Sequence, residues 1–339
     1  MLINSYIITY LICSLISLFM GIITVFNGFI VLKKWDINSL SEDQYRLEKK
    51  IYLIITIVTL GFFLRFIMIP LWFITLGSMV GSINGAMCLV GVHSINPYVS
   101  YTSTSFKLIL PLFYGYWIFI NLLDRQVPTQ PFIKQKLFFL MPLGLFIIAE
   151  TCLDITFFFS VPPRQVSCCT SIFDIPRNEI LLVVAESTWL WVICFYVFAL
   201  VVIAALFYLL RTHKKNTSSY MKKWFGNKTL MTFETIFLSL FIIVFVLSLH
   251  TKISPLFLDL PFHHCVFCLC RDFFDALFAS ALILIGTFFL IIYFWTVSIA
   301  TYKDVDSIFK SIMIRLLKFS TYSICGGVLI ITIHMLLVI

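Results

Sequence analysis

Apolar stretches long enough to cross a membrane recur along the whole chain, from "SYIITYLICSLISLFMGIITVFNGFIVL" near the start to "FSTYSICGGVLIITIHMLLV" near the end. A run of about 18 or more apolar residues, coiled as a helix, spans roughly 30 Å of hydrocarbon and satisfies its backbone hydrogen bonds internally. Eight such runs are expected, at 5–32, 51–76, 101–123, 137–160, 181–210, 229–250, 273–298 and 319–338. The expected fold is therefore all-α: a polytopic integral membrane helical bundle of eight transmembrane helices, in contact with the lipid bilayer. No interval between runs is large enough for a soluble domain, so residues 1–339 are expected to form a single transmembrane domain. Only 12% of residues are charged, against about 25% in ordinary soluble domains.

The segments between runs alternate in charge. "KKWDINSLSEDQYRLEKK", "DRQVPTQPFIKQK", "RTHKKNTSSYMKKWFGNK" and "TYKDVDSIFKSIMIRLLK" are rich in Lys and Arg, which places them in the cytoplasm by the positive-inside rule. Both termini are then expected to be extracytoplasmic, and the first run to be a retained helix, since its basic pair Lys33 and Lys34 follows it. The setting this implies is a bacterial-type cytoplasmic membrane. The net charge of +8 is dispersed among these short segments, so it reports topology and gives no nucleic-acid surface. Trp35, Trp72 and Trp224, near the ends of runs, suit interfacial anchoring.

The three remaining loops, 77–100, 161–180 and 251–272, hold six of the ten cysteines: Cys88, Cys168, Cys169, Cys265, Cys268 and Cys270. His93, His263 and His264 lie there too, and His250 and His334 near the same ends of their spans. Thiolate and imidazole together favour copper(I) and zinc over hard cations. In "HHCVFCLC", His263, His264, Cys265, Cys268 and Cys270 present five such groups, and the C-x-x-C spacing of Cys265 and Cys268 lets two sulfurs converge on one ion. Cys168, Cys169, Cys88 and His93 are candidates to complete the shell from the other two loops. The expected role is binding of a soft metal, copper(I) ahead of zinc, on the outward face, for capture, delivery or uptake, with a metal- or thiol-carrying extracytoplasmic protein as partner. Disulfides that staple the outer loops of a structural membrane subunit are a further possibility.

The stretch "CVFCLCRDFFDALFASALILIG" locally resembles the first redox cysteine pair and following helix of the DsbB family, membrane proteins that oxidise a partner and pass electrons to quinone. That resemblance covers about twenty of the 339 residues. It implies a thiol-disulfide oxidoreductase with Cys265 and Cys268 as the redox pair and Arg271 near the quinone. Family members have four core spans where eight are expected here, and the two histidines and third cysteine lie outside the family pattern.

Ionisable groups inside spans are costly and point to function by default. Glu150 and Asp154 stand at i and i+4 in the fourth run, Glu186 near the outer end of the fifth and Asp275 near that of the seventh. These four are expected to form an acidic vestibule, with Arg65 as the natural counter-ion of Glu150. The inner half offers no comparable polar series. No P-loop, dinucleotide fingerprint, G-x-S-x-G or H-E-x-x-H motif occurs, so whether the chain is an enzyme stays open.

Overall fold

The computed structural model describes residues 4–34, 42–126, 132–160, 166, 188–214, 228–260, 263–300 and 307–338. Among these every regular element is helical, and eight helices are long and apolar enough to cross a bilayer. Large side chains such as Phe19, Phe26, Leu200 and Leu336 project outward from them, each at least 66% exposed. Water would oppose such a surface, whereas lipid tails solvate it, in keeping with a membrane-embedded protein.

The chain divides into two compact units, Met1–Cys168 and Cys169–Ile339. The first contains spans α1 (Ser5–Lys34), α2 (Glu42–Met79), α4 (Pro97–Asp124) and α5 (Ile133–Phe159), with a short α3 (Leu89–His93) between α2 and α4. Helix α1 lies against α2 and α5, and α4 against α5. A Cβ on Gly144 would come within 2.6 Å of Val25 Cγ2 and 3.3 Å of the Gly21 carbonyl, so glycine permits the α1/α5 approach.

The second unit contains spans α6 (Thr188–Lys214), α7 (Lys228–Ser248), α10 (Phe274–Ala300) and α11 (Ser307–Val338). A π-helical turn, Leu249–Ile253, and a short α8, Ser254–Phe257, prolong α7; α9 (Val266–Asp272) precedes α10. Helices α10 and α11 pack closely through Gly286 and Gly327, and Ser320 Oγ donates to the Gly286 carbonyl at 2.7 Å. A Cβ on Gly327 would meet the Ala279 carbonyl oxygen at 2.7 Å, and backbone cannot yield as a side-chain tip can. Gly327→Val is expected to destabilise this unit by about 1–3 kcal/mol, as overpacking does, measured as a lower thermal midpoint of the purified protein in detergent.

Two boundaries differ from expectation for one physical reason. The eighth helix begins at Ser307, twelve residues before the expected 319, inside a segment read as a basic loop. Met313, Leu316, Leu317 and Ser320 are buried there while Arg315 and Lys318 are exposed, an amphipathic pattern in which charge marks the outer face of a helix. Similarly α2 starts at Glu42, where Arg46 pairs with Glu42 one turn away at 2.9 Å. Trp72 is no interfacial anchor: it is 0% exposed and its indole N–H donates to Thr104 Oγ1 at 3.1 Å. Trp35 and Trp224 lie outside the described residues.

Candidate metal site and a buried ion network

In the second unit, the end of α7 and the loop that follows are tied together through histidine and serine. His250, on the π-turn, and His264 form a reciprocal pair: His250 Nδ1 lies 2.6 Å from the His264 carbonyl oxygen, and His264 Nδ1 lies 3.0 Å from that of His250. Ser254 Oγ donates to the Cys265 carbonyl at 3.0 Å. Between them the chain reverses at Asp259, the one non-glycine residue with positive φ (52°) among the described residues. A carbonyl can only accept, so both imidazoles donate from Nδ1, and in the neutral ring the lone pair then belongs to Nε2.

This tether delivers Cys265 to the N-cap of α9, and Cys268 follows at the third helical position. The C-x-x-C spacing thus sets both residues at the start of one short helix, on the same side of its first turn. Both are buried, Cys265 at 1% and Cys268 at 6% exposure. Cys270 is different. Burial, then the neighbouring Cys265, pushes its thiol up to about 11, so it stays protonated at neutral pH.

His263 is half-buried. Arg271 is largely exposed and holds Asp272 through two contacts, Nε to Oδ1 at 2.7 Å and Nη2 to Oδ2 at 3.1 Å. Their hydrogen bond keeps the Asp272 carboxyl below its usual range. Asp275, in the first turn of α10, contacts His334 Nδ1, and the His334 ring stacks on Phe257 with centroids 3.8 Å apart. The sequence offers no signal for this pairing, because its members are 59 residues apart.

In the first unit, Cys88 is the N-cap residue of α3 and 4% exposed, and His93 closes the same helix fully buried. Gly91 is required there, since a Cβ would stand 2.9 Å from Ala86 Cα. His93 Nδ1 is 2.7 Å from Ser100 Oγ, whose own proton goes to the His93 carbonyl at 3.1 Å; the ring stacks on Tyr101. Burial lowers the His93 pKa to about 4, with nearby Cys88 opposing and Lys107 assisting.

That depression sets a pH dependence. An unfolded histidine takes up its proton near 6.5, whereas His93 in the folded unit does so only near 4. Protons therefore favour the unfolded state across that window, and stability present above about pH 6.5 falls as the pH drops toward 4, by roughly 3 kcal/mol at most. His93→Asn, which preserves the donor to Ser100, is expected to flatten the decline of thermal midpoint over this range.

The acids of the first unit form no open acidic vestibule, because each is neutralised. Glu150 accepts from Arg65 at 3.1 Å and from Lys107 at 3.2 Å. Asp154 accepts from Lys107 at 2.6 Å, Tyr10 at 2.6 Å and Ser103. Arg65 also donates to the Ile147 carbonyl at 3.2 Å and to Thr151, and Lys107 lies 4.2 Å from the Trp72 ring centroid. Two cations and two carboxylates thus close a buried, balanced network joining α1, α2, α4 and α5. The pairing of Arg65 with Glu150 matches expectation; Lys107, read as one more residue of an apolar run, was missed. Towards the other ends of α4 and α5, Lys136 pairs with Asp124 at 2.6 Å and donates to Asn121 at 3.1 Å, polar groups that sequence reasoning also passed over.

Cys168, Cys169 and Glu186 lie outside the described residues. Within the second unit, the buried thiols Cys265 and Cys268 could contribute to a metal site, while Cys88 belongs to the first unit. The donor set is sulfur alone, which fits a soft or borderline ion and not a hard, oxygen-seeking one. The chain matches no family model, no curated protein sequence and no solved structure.

Proposed function

We propose that this integral membrane protein binds a soft metal ion, copper(I) ahead of zinc, through the thiolates of Cys265 and Cys268. It does so on the extracytoplasmic face, for capture, delivery or uptake of the ion. The observation that carries this reading is the burial of sulfur ligands without a carboxylate among them. A site with fewer than four ligands leaves a position for exchange, as hand-off to a partner protein requires. His263 and His264, directly before the pair in sequence, are further candidate ligands.

Each bound thiol must lose its proton, so loading is expected to release up to about two protons per ion and to weaken as the pH falls. Elemental analysis of the purified protein tests the reading: about one copper or zinc per chain is expected, and a metal-free protein that takes up neither ion would overturn it.

A second reading is a thiol-disulfide oxidoreductase that passes electrons from the Cys265/Cys268 pair to quinone. Placement of the pair at the N-cap and third position of α9 favours it. Burial counts against it, because exchange requires an attacking thiolate to reach a sulfur. In that case the two thiols would cycle with added quinone, and replacing the histidines would matter little. Permanently oxidised thiols with no copurifying ion would instead favour a stapled structural subunit.

A further inference from the structure

The reciprocal contact between His250 and His264 is not needed by the thiolate site, yet it does more than fasten a loop. Each ring is oriented by the bond that orients metal-binding histidines elsewhere: Nδ1–H donated to an oxygen, which fixes the tautomer and leaves the lone pair on Nε2. The ring centroids are 5.5 Å apart, near enough for two nitrogens to share one ion with bonds of about 2 Å. His250 sits on a π-helical turn, a distortion frequent at functional sites and absent from the other described spans. Both histidines are partly buried, and His264 directly precedes Cys265.

We propose that His250 and His264 form a second metal site, an imidazole pair that takes copper(I) through their Nε2 atoms beside the thiolate site. Resting on the soft-metal reading above, this gives that site an approach: an ion held by two nitrogens is bound less firmly than one held by thiolates, so it can move on to sulfur. His250 carries the proposal, because only the fold brings it to the Cys/His loop. No change in oxidation state is involved; the ion exchanges nitrogen ligands for sulfur ligands, and the thiols lose protons as they bind.

Asparagine separates the two roles of these histidines. Its side-chain amide can donate to the same carbonyl as Nδ1 but has no counterpart of Nε2. The full-length protein in detergent is titrated anaerobically with copper(I) against a colorimetric copper(I) chelator, as wild type, as His250→Asn/His264→Asn, and as Cys265→Ser/Cys268→Ser. Two equivalents are expected for wild type and one for each double variant, with the equivalent left in the cysteine variant the more easily removed by chelator. Wild-type copper binding in the histidine variant overturns the imidazole site and leaves the thiolate reading standing. Wild-type binding in the cysteine variant, with loss in the histidine variant, overturns the thiolate reading and leaves the imidazole site. A single equivalent lost in both variants overturns a separate second site, and no binding by wild type overturns both.

Discussion

On the proposed soft-metal reading, protein carrying Cys265→Ser and Cys268→Ser is expected to purify without thiolate-bound metal, the largest functional effect that reading predicts. Serine keeps the size and the N-cap chemistry of cysteine, since a hydroxyl at the N-cap can accept from the first turn of α9. The helix should therefore remain while the soft ligands are lost. Removing both should weaken copper(I) binding by far more than the roughly 10–100-fold that loss of an outer-shell partner costs. Cys270→Ser serves as the control. Its thiol is held protonated and stands outside the Cys265/Cys268 pair, so metal content should stay at the wild-type level. Equal metal content in the Cys265/Cys268 variant and wild type would remove these residues from the site.

The largest effect on stability is expected from Lys107→Met. Lys107 touches both Glu150 and Asp154, and its loss leaves these two carboxylates with one cation, Arg65, which pairs with Glu150. Breaking a buried pair by removing one partner costs about 3–5 kcal/mol, because a charge remains without compensation. For a unit of this size that corresponds to a fall in thermal midpoint on the order of 10 °C. Adding Asp154→Asn restores balance, one cation against one carboxylate, and should recover most of the loss. If the double variant is no more stable than Lys107→Met alone, charge balance is not what holds the network together.

The bundle was legible because a bilayer leaves few choices: a long apolar run must be helical, and all eight expected spans have a helical counterpart. The ends were less legible. At Ser307–Lys318 the sequence shows basic residues, and whether these mark a loop or one face of a helix depends on whether Met313, Leu316 and Leu317 find something to bury against. Similarly, Glu150 and Asp154 were visible as a pair one turn apart, but their partners Lys107 and Tyr10 lie on other helices, and only packing reveals that the charges cancel.

The candidate site divides in the same way. Cys265 and Cys268 stand out through local spacing, and spacing survives folding whenever both residues fall in one helical turn. His250 is 14 residues from His264, and nothing in the intervening sequence announces that a π-turn and a reversal at Asp259 will bring the two rings together. Cys88 and His93, read as residues of a loop, fall instead at the two ends of the short α3, with His93 held by a serine on the following helix.

The proposal that Cys265 and Cys268 hold one soft ion is tested most directly by X-ray absorption at the copper edge, on purified protein loaded anaerobically with a single equivalent of copper(I). The account predicts a first shell that contains the sulfurs of Cys265 and Cys268 at a little over about 2 Å, absent from the Cys265→Ser/Cys268→Ser variant. A first shell of oxygen or nitrogen alone, or copper that washes away on desalting, would contradict it.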